Sequence, residues 1–206
     1  VLRSAFATLG LALTTLAGPA TADSFMTTLS DLGGDLEFQI TFDDAAAGAG
    51  EIQITVEVVA GEADLRGLFL NIADDSLLAG LSASGDDVTN QVFAASSVID
   101  LGRGANVQGS GPCPCDIGVA FGSPGMGRDD VQTTAFVLSH DTESLALDLF
   151  ADQTIVVRAT SVGDELSRED SVKTAGTTST VPEPATLALL ASGALALGAR
   201  RRRAAA

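Results

Sequence analysis

The chain has 206 residues, room for one ordinary domain plus processing segments. Its formal net charge is −16, and between Asp23 and Thr180 there are 26 acids against six bases. So acidic a stretch repels nucleic acid and anionic lipid, whose binding rests on Lys and Arg neutralising phosphate, and nucleic acid is set aside as a partner.

The first element is an address. Arg3 gives a positive start, an apolar run follows from Ala5 to Ala17, Gly18-Pro19 breaks it, and Ala20-Thr21-Ala22 offers a small-residue cleavage site. That order predicts a Sec signal peptide over residues 1–22, handled by the Sec translocon and signal peptidase. The apolar run is too short for a spanning helix, which needs roughly 20 residues.

Residues 23–173 predict one all-β domain, an antiparallel β-sandwich of jelly-roll type. Residues 36–42 alternate apolar and polar, the period of a half-buried strand, and residues 52–58 repeat the alternation as an antiparallel partner. Asp43-Asp44 and the glycines up to Gly50 read as the turn between them. A more buried strand follows at 64–72, with further strands at 116–121, 133–138 and 154–161. Helix signals are scarce: residues 76–81 predict a single turn after Asp74-Asp75, while Leu145, Leu147 and Leu149 fall at strand spacing. Short strands between turn clusters favour a sandwich over a helix-covered sheet.

The chemistry-bearing residues are few. His140 is the one histidine, flanked by Ser139 and Asp141, which as sequence neighbours cannot converge on the imidazole as a triad requires. It reads as a turn histidine. Cys113-Pro114-Cys115 lacks the two-residue gap of thioredoxin-like redox sites, and in an oxidising compartment the pair closes into a small ring or bridges to another chain. Residues 122–127 are glycine-rich but lack the Lys-Ser/Thr of a phosphate-binding loop and read as a tight surface loop.

Paired carboxylates recur at Asp43-Asp44, Asp74-Asp75, Asp86-Asp87 and Asp129-Asp130. Two uses stay open. One is solvating charge on an exported protein. The other is calcium, which takes six to eight oxygen ligands from loop carboxylates and carbonyls, with Asp64, Asp74, Asp75 and Asp116 as the candidate ligands. A glycosidase would need two acids across a cleft, normally beside aromatic platforms. The chain has no Trp or Tyr, and its Phe residues fall in core-like patterns.

Residues 174–180 read as a Thr/Gly/Ser linker with no apolar periodicity. Val181-Pro182-Glu183-Pro184 follows, then an apolar stretch over 185–199 and the cluster Arg200, Arg201, Arg202 and Arg203. The prolines keep the tripeptide extended, the apolar stretch predicts a short transmembrane helix, and the arginines hold its end at the cytoplasmic face. This segment, 181–203, resembles the PEP-CTERM sorting signal. The resemblance implies cutting near Pro-Glu-Pro by an exosortase, a membrane-embedded protease, and association with exopolysaccharide and biofilm. Residues 116–139 and 157–163 also resemble a segment of uncharacterised exported proteins with such tails.

The expected protein is therefore exported across the inner membrane, transiently anchored by its C-terminal helix, then placed at the cell surface or outside. It reads as a non-catalytic matrix component. A carbohydrate-binding module is the alternative, and would need an exposed Phe cluster; a secreted hydrolase would need two acids converging in a cleft.

Overall fold

The computed structural model describes residues 24–109, 113–123, 129–164 and 167–179. The predicted signal peptide, sorting motif and C-terminal helix lie outside these. Ten strands run in order: β1 (Ser24–Ser30), β2 (Glu37–Asp43), β3 (Ile52–Ala60), β4 (Asp64–Leu70), β5 (Leu81–Ser84), β6 (Val88–Val98), β7 (Cys115–Phe121), β8 (Thr133–His140), β9 (Thr154–Asp164) and β10 (Ser167–Thr177). Among the described residues the only helical pieces are 3-10 turns at Asp75–Gly80 and Leu147–Phe150, and no helix is long and apolar enough to cross a membrane.

The strands form two five-stranded sheets. One has the order β1-β2-β3-β8-β5 and the other β10-β9-β4-β7-β6, with every pairing antiparallel. The predicted pairing of β2 with β3 is present, with Ile40 opposite Val56 and Phe42 opposite Ile54. Alternation explains why these segments are strands: in β2, Phe38, Ile40 and Phe42 are buried while the residues between them are half-exposed. Their inward set packs with Ile54 and Val56 of β3, Leu68 and Leu70 of β4, and Ile117, Val119 and Phe121 of β7. Phe42 stacks between Phe25 and Phe150, at 4.6 and 5.5 Å between ring centroids. Burial of such a side chain contributes about 1.5–3 kcal/mol.

The expected antiparallel sandwich is present, with five strands in each sheet. One expectation needs correcting: residues 174–177 are not linker but finish β10, paired with residues 154–157 of β9. Thr174 and Thr178 are buried, and the Thr178 hydroxyl donates to the carbonyls of Phe150 and Gln153. Ser179 N–H donates to Thr27 Oγ1 of β1, so the two edge strands meet and close that side of the sandwich. The segment lacks apolar periodicity because an edge strand is held through its backbone, and threonine suits that position.

β4 and β7 are buried at every residue. Their inner faces meet the other sheet. Their outer faces lie under the connection between β6 and β7, where Val98, Leu101, Ala105 and Val107 pack on Phe69, Ala120, Cys115 and Val156. This flap is a small hairpin of its own: Val107 N–H donates to Ile99 O, Leu101 N–H donates to Ala105 O, and Asp100 bridges to Asn106. It lies directly on the backbone of β7, since a Cβ on Gly118 would come within 2.7 Å of Val98 Cγ1 and 2.9 Å of Leu101 Cδ2.

At the opposite edge, Arg168 of β10 grips Asp130 with both terminal nitrogens, at 2.6 and 2.7 Å, and donates from Nε to Ser161 O. The guanidinium holds the Asp130 carboxyl below the usual carboxylate range, against a smaller opposing effect of burial. Such a carboxylate contributes stability above its unfolded pKa near 3.8 and loses it as pH falls through the lower folded value. Asp130 is 36% exposed, so the pair is worth no more than a surface fork, about 0.5–1 kcal/mol. Arg168→Gln is expected to lower Tm slightly at neutral pH, with the deficit vanishing once pH falls well below 3.8. A deficit that stays constant across that range would mean the fork is not its source.

Candidate functional site

The four aspartates read from the sequence as calcium ligands do not converge. Asp64 opens β4 and Asp116 stands opposite the far end of β4, next to the Ile117–Leu70 pair. Seven residues of strand, roughly 20 Å, separate them. Asp116 is buried, with Oδ2 accepting from Ile72 N–H at 3.1 Å and Oδ1 from Ser96 N–H at 2.7 Å. It ties the end of β4 to a bulged part of β6, where Ser96 has φ 45°. Asp64 is buried too, its Oδ1 accepting from Val131 N–H at 3.2 Å and its Oδ2 from the Thr160 hydroxyl at 3.5 Å. Burial pushes its carboxyl up, partly offset by the Val131 amide and the charge of Arg66.

Asp74 and Asp75 are exposed at the first 3-10 turn, where Asp74 Oδ1 accepts from Ser76 N–H and hydroxyl and is held below the usual carboxylate range by them. Among the described residues no group of three or more His, Cys, Asp or Glu side chains is placed to hold a metal ion. One member of each of two other acid pairs shows similar turn chemistry. Asp43 Oδ1 accepts from Ala45 and Ala46 N–H, and Asp129 Oδ2 accepts from Ser123 N–H at 2.7 Å. A short carboxylate turned back on its own backbone is a turn clamp.

His140, expected in a turn, is instead the half-buried last residue of β8, paired with Leu81, and its ring is engaged. Its Nδ1 accepts from the N–H groups of Thr142 and Glu143 at 3.1 and 3.0 Å, so the nitrogen that a triad carboxylate would orient is already occupied by backbone. Cys113 and Cys115 are joined by a disulfide at the entry to β7, with Cys115 fully buried. Of the phenylalanines among the described residues, all are buried except Phe93, which is half-buried, so they present no exposed sugar-stacking platform. The motif residues Val181, Pro182, Glu183, Pro184, Arg200, Arg201, Arg202 and Arg203 lie outside the described residues.

A cationic corner was not visible in the sequence. Arg66 is 2% exposed and is the extra residue of a bulge, between the Leu65–Ala159 and Gly67–Arg158 pairs. Its Nη1 is buried without a hydrogen-bond partner. Arg158, 9% exposed on β9, donates only to carbonyls: Gly104, Ala159 and Val172. Burial lowers the Arg158 pKa, and the charge of Arg66 lowers it further. Asp64 feels the charge of Arg66, but the ion pairs within 4.0 Å among the described residues belong to Arg168. Leaving buried charge uncompensated costs on the order of several kcal/mol.

Arg66 opens onto a cleft of about 340 Å³, walled by Thr89 and Asn90 of β6, Ala120 of β7, and Leu101, Gly102 and Arg103 of the flap. Asn90 Nδ2 donates to Leu101 O at 2.9 Å and the Thr89 hydroxyl donates to Ala120 O at 3.3 Å, fixing flap and strand together. The flap tip reverses through a left-handed run, with φ 79° at Gly102, 52° at Arg103 and 85° at Gly104, leaving Arg103 exposed at the rim. A charged residue inside an otherwise apolar, fully buried strand is the signal that would have pointed here.

Asp116→Ala is expected to orphan the buried Ile72 amide and free the more exposed Ser96 amide, and to cost about 1–3 kcal/mol, with or without calcium, in urea unfolding of the full chain. A calcium-dependent gain in the wild type that this variant lacks would instead make Asp116 a ligand.

No curated protein and no solved structure matches the chain. Residues 180–203 match the family model of the PEP-CTERM protein-sorting motif, directly after the last described strand. The chain therefore carries the PEP-CTERM signal of an exosortase substrate, which implies export and sorting by that membrane protease.

Proposed function

We propose that this chain is a non-catalytic component of the cell surface or extracellular matrix, delivered by exosortase processing and retained among exopolysaccharide. The observation that carries the reading is the junction between domain and motif. β10 ends at Thr177, Thr178 and Ser179 are still bonded to the sandwich, and the matched motif begins at residue 180. The sorted cargo is thus the sandwich itself, joined to its address with almost no tether.

The rest of the description agrees with a module that binds or scaffolds. The acids whose bonds are described mostly hold turns, and His140 holds another. The surplus of negative charge keeps such a domain dispersed and off anionic membranes. The proposed retention is not assigned to the four aspartates first read as calcium ligands, since among the described residues Asp64 and Asp116 accept from separate amides at opposite ends of β4.

The test is replacement of Pro182, Glu183 and Pro184 by alanine in the full chain, expressed in a host that has an exosortase. The variant is expected to accumulate unprocessed in the membrane fraction, while the wild type is cut and recovered with the exopolysaccharide layer. Equal processing of both would refute the assignment of the tripeptide. A processed wild type that washes freely from the polysaccharide would refute the matrix role.

A further inference from the structure

The cleft at Arg66 is built like a site for an anion. Arg66, 2% exposed, lines it, its Nη1 is buried without a hydrogen-bond partner, and a guanidinium cannot shed its charge; the acid that feels this charge, Asp64, lies outside the lining. A second cation, Arg103, stands at the rim, and a third, Arg158, is buried nearby with only carbonyls for company. The cleft lining among the described residues includes no carboxylate. In a chain of net charge −16 that gathering runs against the average, so the cleft is a local positive field on a negative body.

We propose that this cleft binds the carboxylate of an acidic sugar, with the oxyanion seated between the Arg66 and Arg103 guanidinia. Planar guanidinium matches planar carboxylate through paired hydrogen bonds, and a buried donor without a partner gains most from supplying one. The walls fit the remainder of such a ligand. Thr89 spends its proton on Ala120 O, which leaves its oxygen lone pairs to accept from a sugar hydroxyl. Leu101 and Ala120 are the apolar contacts, and the absence of an aromatic ring from the lining disfavours neutral sugars that bind by stacking. The inference deepens the matrix reading and rests on it for the source of the sugar; the anion chemistry comes from the cleft alone.

The test is thermal unfolding of the purified full chain in mild detergent with galacturonate oligomers, neutral dextran or sodium sulfate. Galacturonate at about 100 times its Kd is expected to raise Tm by about 5–10 °C and dextran to leave it unchanged. Sulfate stabilises many proteins by exclusion, so its effect is judged against variants. Arg103→Glu changes an exposed residue and should fold normally yet lose the galacturonate shift. Arg66→Met should lose it as well, and because it also removes a charge that favours the buried Asp64 carboxylate, a cooperative melt of the unliganded variant checks that it still folds.

No galacturonate shift, or the same shift in both variants, would overturn the site. A sulfate shift abolished by both variants with none from galacturonate would overturn the sugar. Wild type that binds galacturonate but washes from the exopolysaccharide layer would refute the matrix reading and leave the cleft standing. Retention without binding would do the reverse.

Discussion

The structure depends on the covering of β4 and β7 from both sides. A sandwich of two sheets normally leaves each outer face to water, and polar residues then alternate with the core set. Here one outer face is instead sealed by the hairpin between β6 and β7, and both strands are buried along their whole length. Every polar group on those strands then needs an internal partner, because an unpaired one costs free energy comparable to a lost hydrogen bond. Asp116 meets that need by taking two amides, Asp64 by taking an amide and a hydroxyl. Gly118 meets it differently, by removing its side chain so that Val98 and Leu101 can lie on the backbone. Arg66 is the residue that does not settle, and the cleft follows from that.

The same sealing changes what the acids mean. In an exported chain of this charge, carboxylates look like solvation or like calcium ligands. Those whose bonds are described mostly look inward to the chain. Asp43, Asp74 and Asp129 fold back on nearby amides, while Asp64 and Asp116 reach across the sheet. Each of these five has at least one carboxylate oxygen taken up by the chain's own backbone, which a count of acids in the sequence does not reveal.

Where the physics was periodic, the sequence was legible. Residues 36–42 and 52–58 alternate cleanly, and both are strands in the predicted pairing. Residues 64–72 and 116–121 are continuous apolar runs broken by single charges, and they are the doubly covered strands. Of the strands that escaped notice, β1 and β5 are short alternating ones, while β6 and β10 had no period. β6 is exposed along most of its eleven residues and its register with β7 slips twice, so no apolar stripe marks it. β10 is Thr- and Gly-rich because an edge strand is held by backbone bonds, and those leave no trace in side-chain pattern. The cleft is less legible still. Arg66, Arg103 and Arg158 are far apart in the chain, and only the bulge in β4 and the fold of the flap bring Arg66 and Arg103 to one wall.

Topology also sets where the cleft stands relative to the tail. Thr177, the last residue of β10, lies opposite Thr154 at the start of β9. Arg66 lies beside Arg158 and Ala159, further along the same strand. Four or five residues of extended chain, about 15 Å, therefore separate the two levels along the sheet. The sorting motif leaves from one end of the sandwich and the arginines sit toward the other. The end of the sandwich that carries Thr177 is thus the one nearest in the chain to the motif. The cleft proposed to take an acidic sugar therefore stands away from the end of the sandwich at which the motif begins. That geometry needs no flexible stalk, and the bonds from Thr178 and Ser179 to the sandwich leave little room for one.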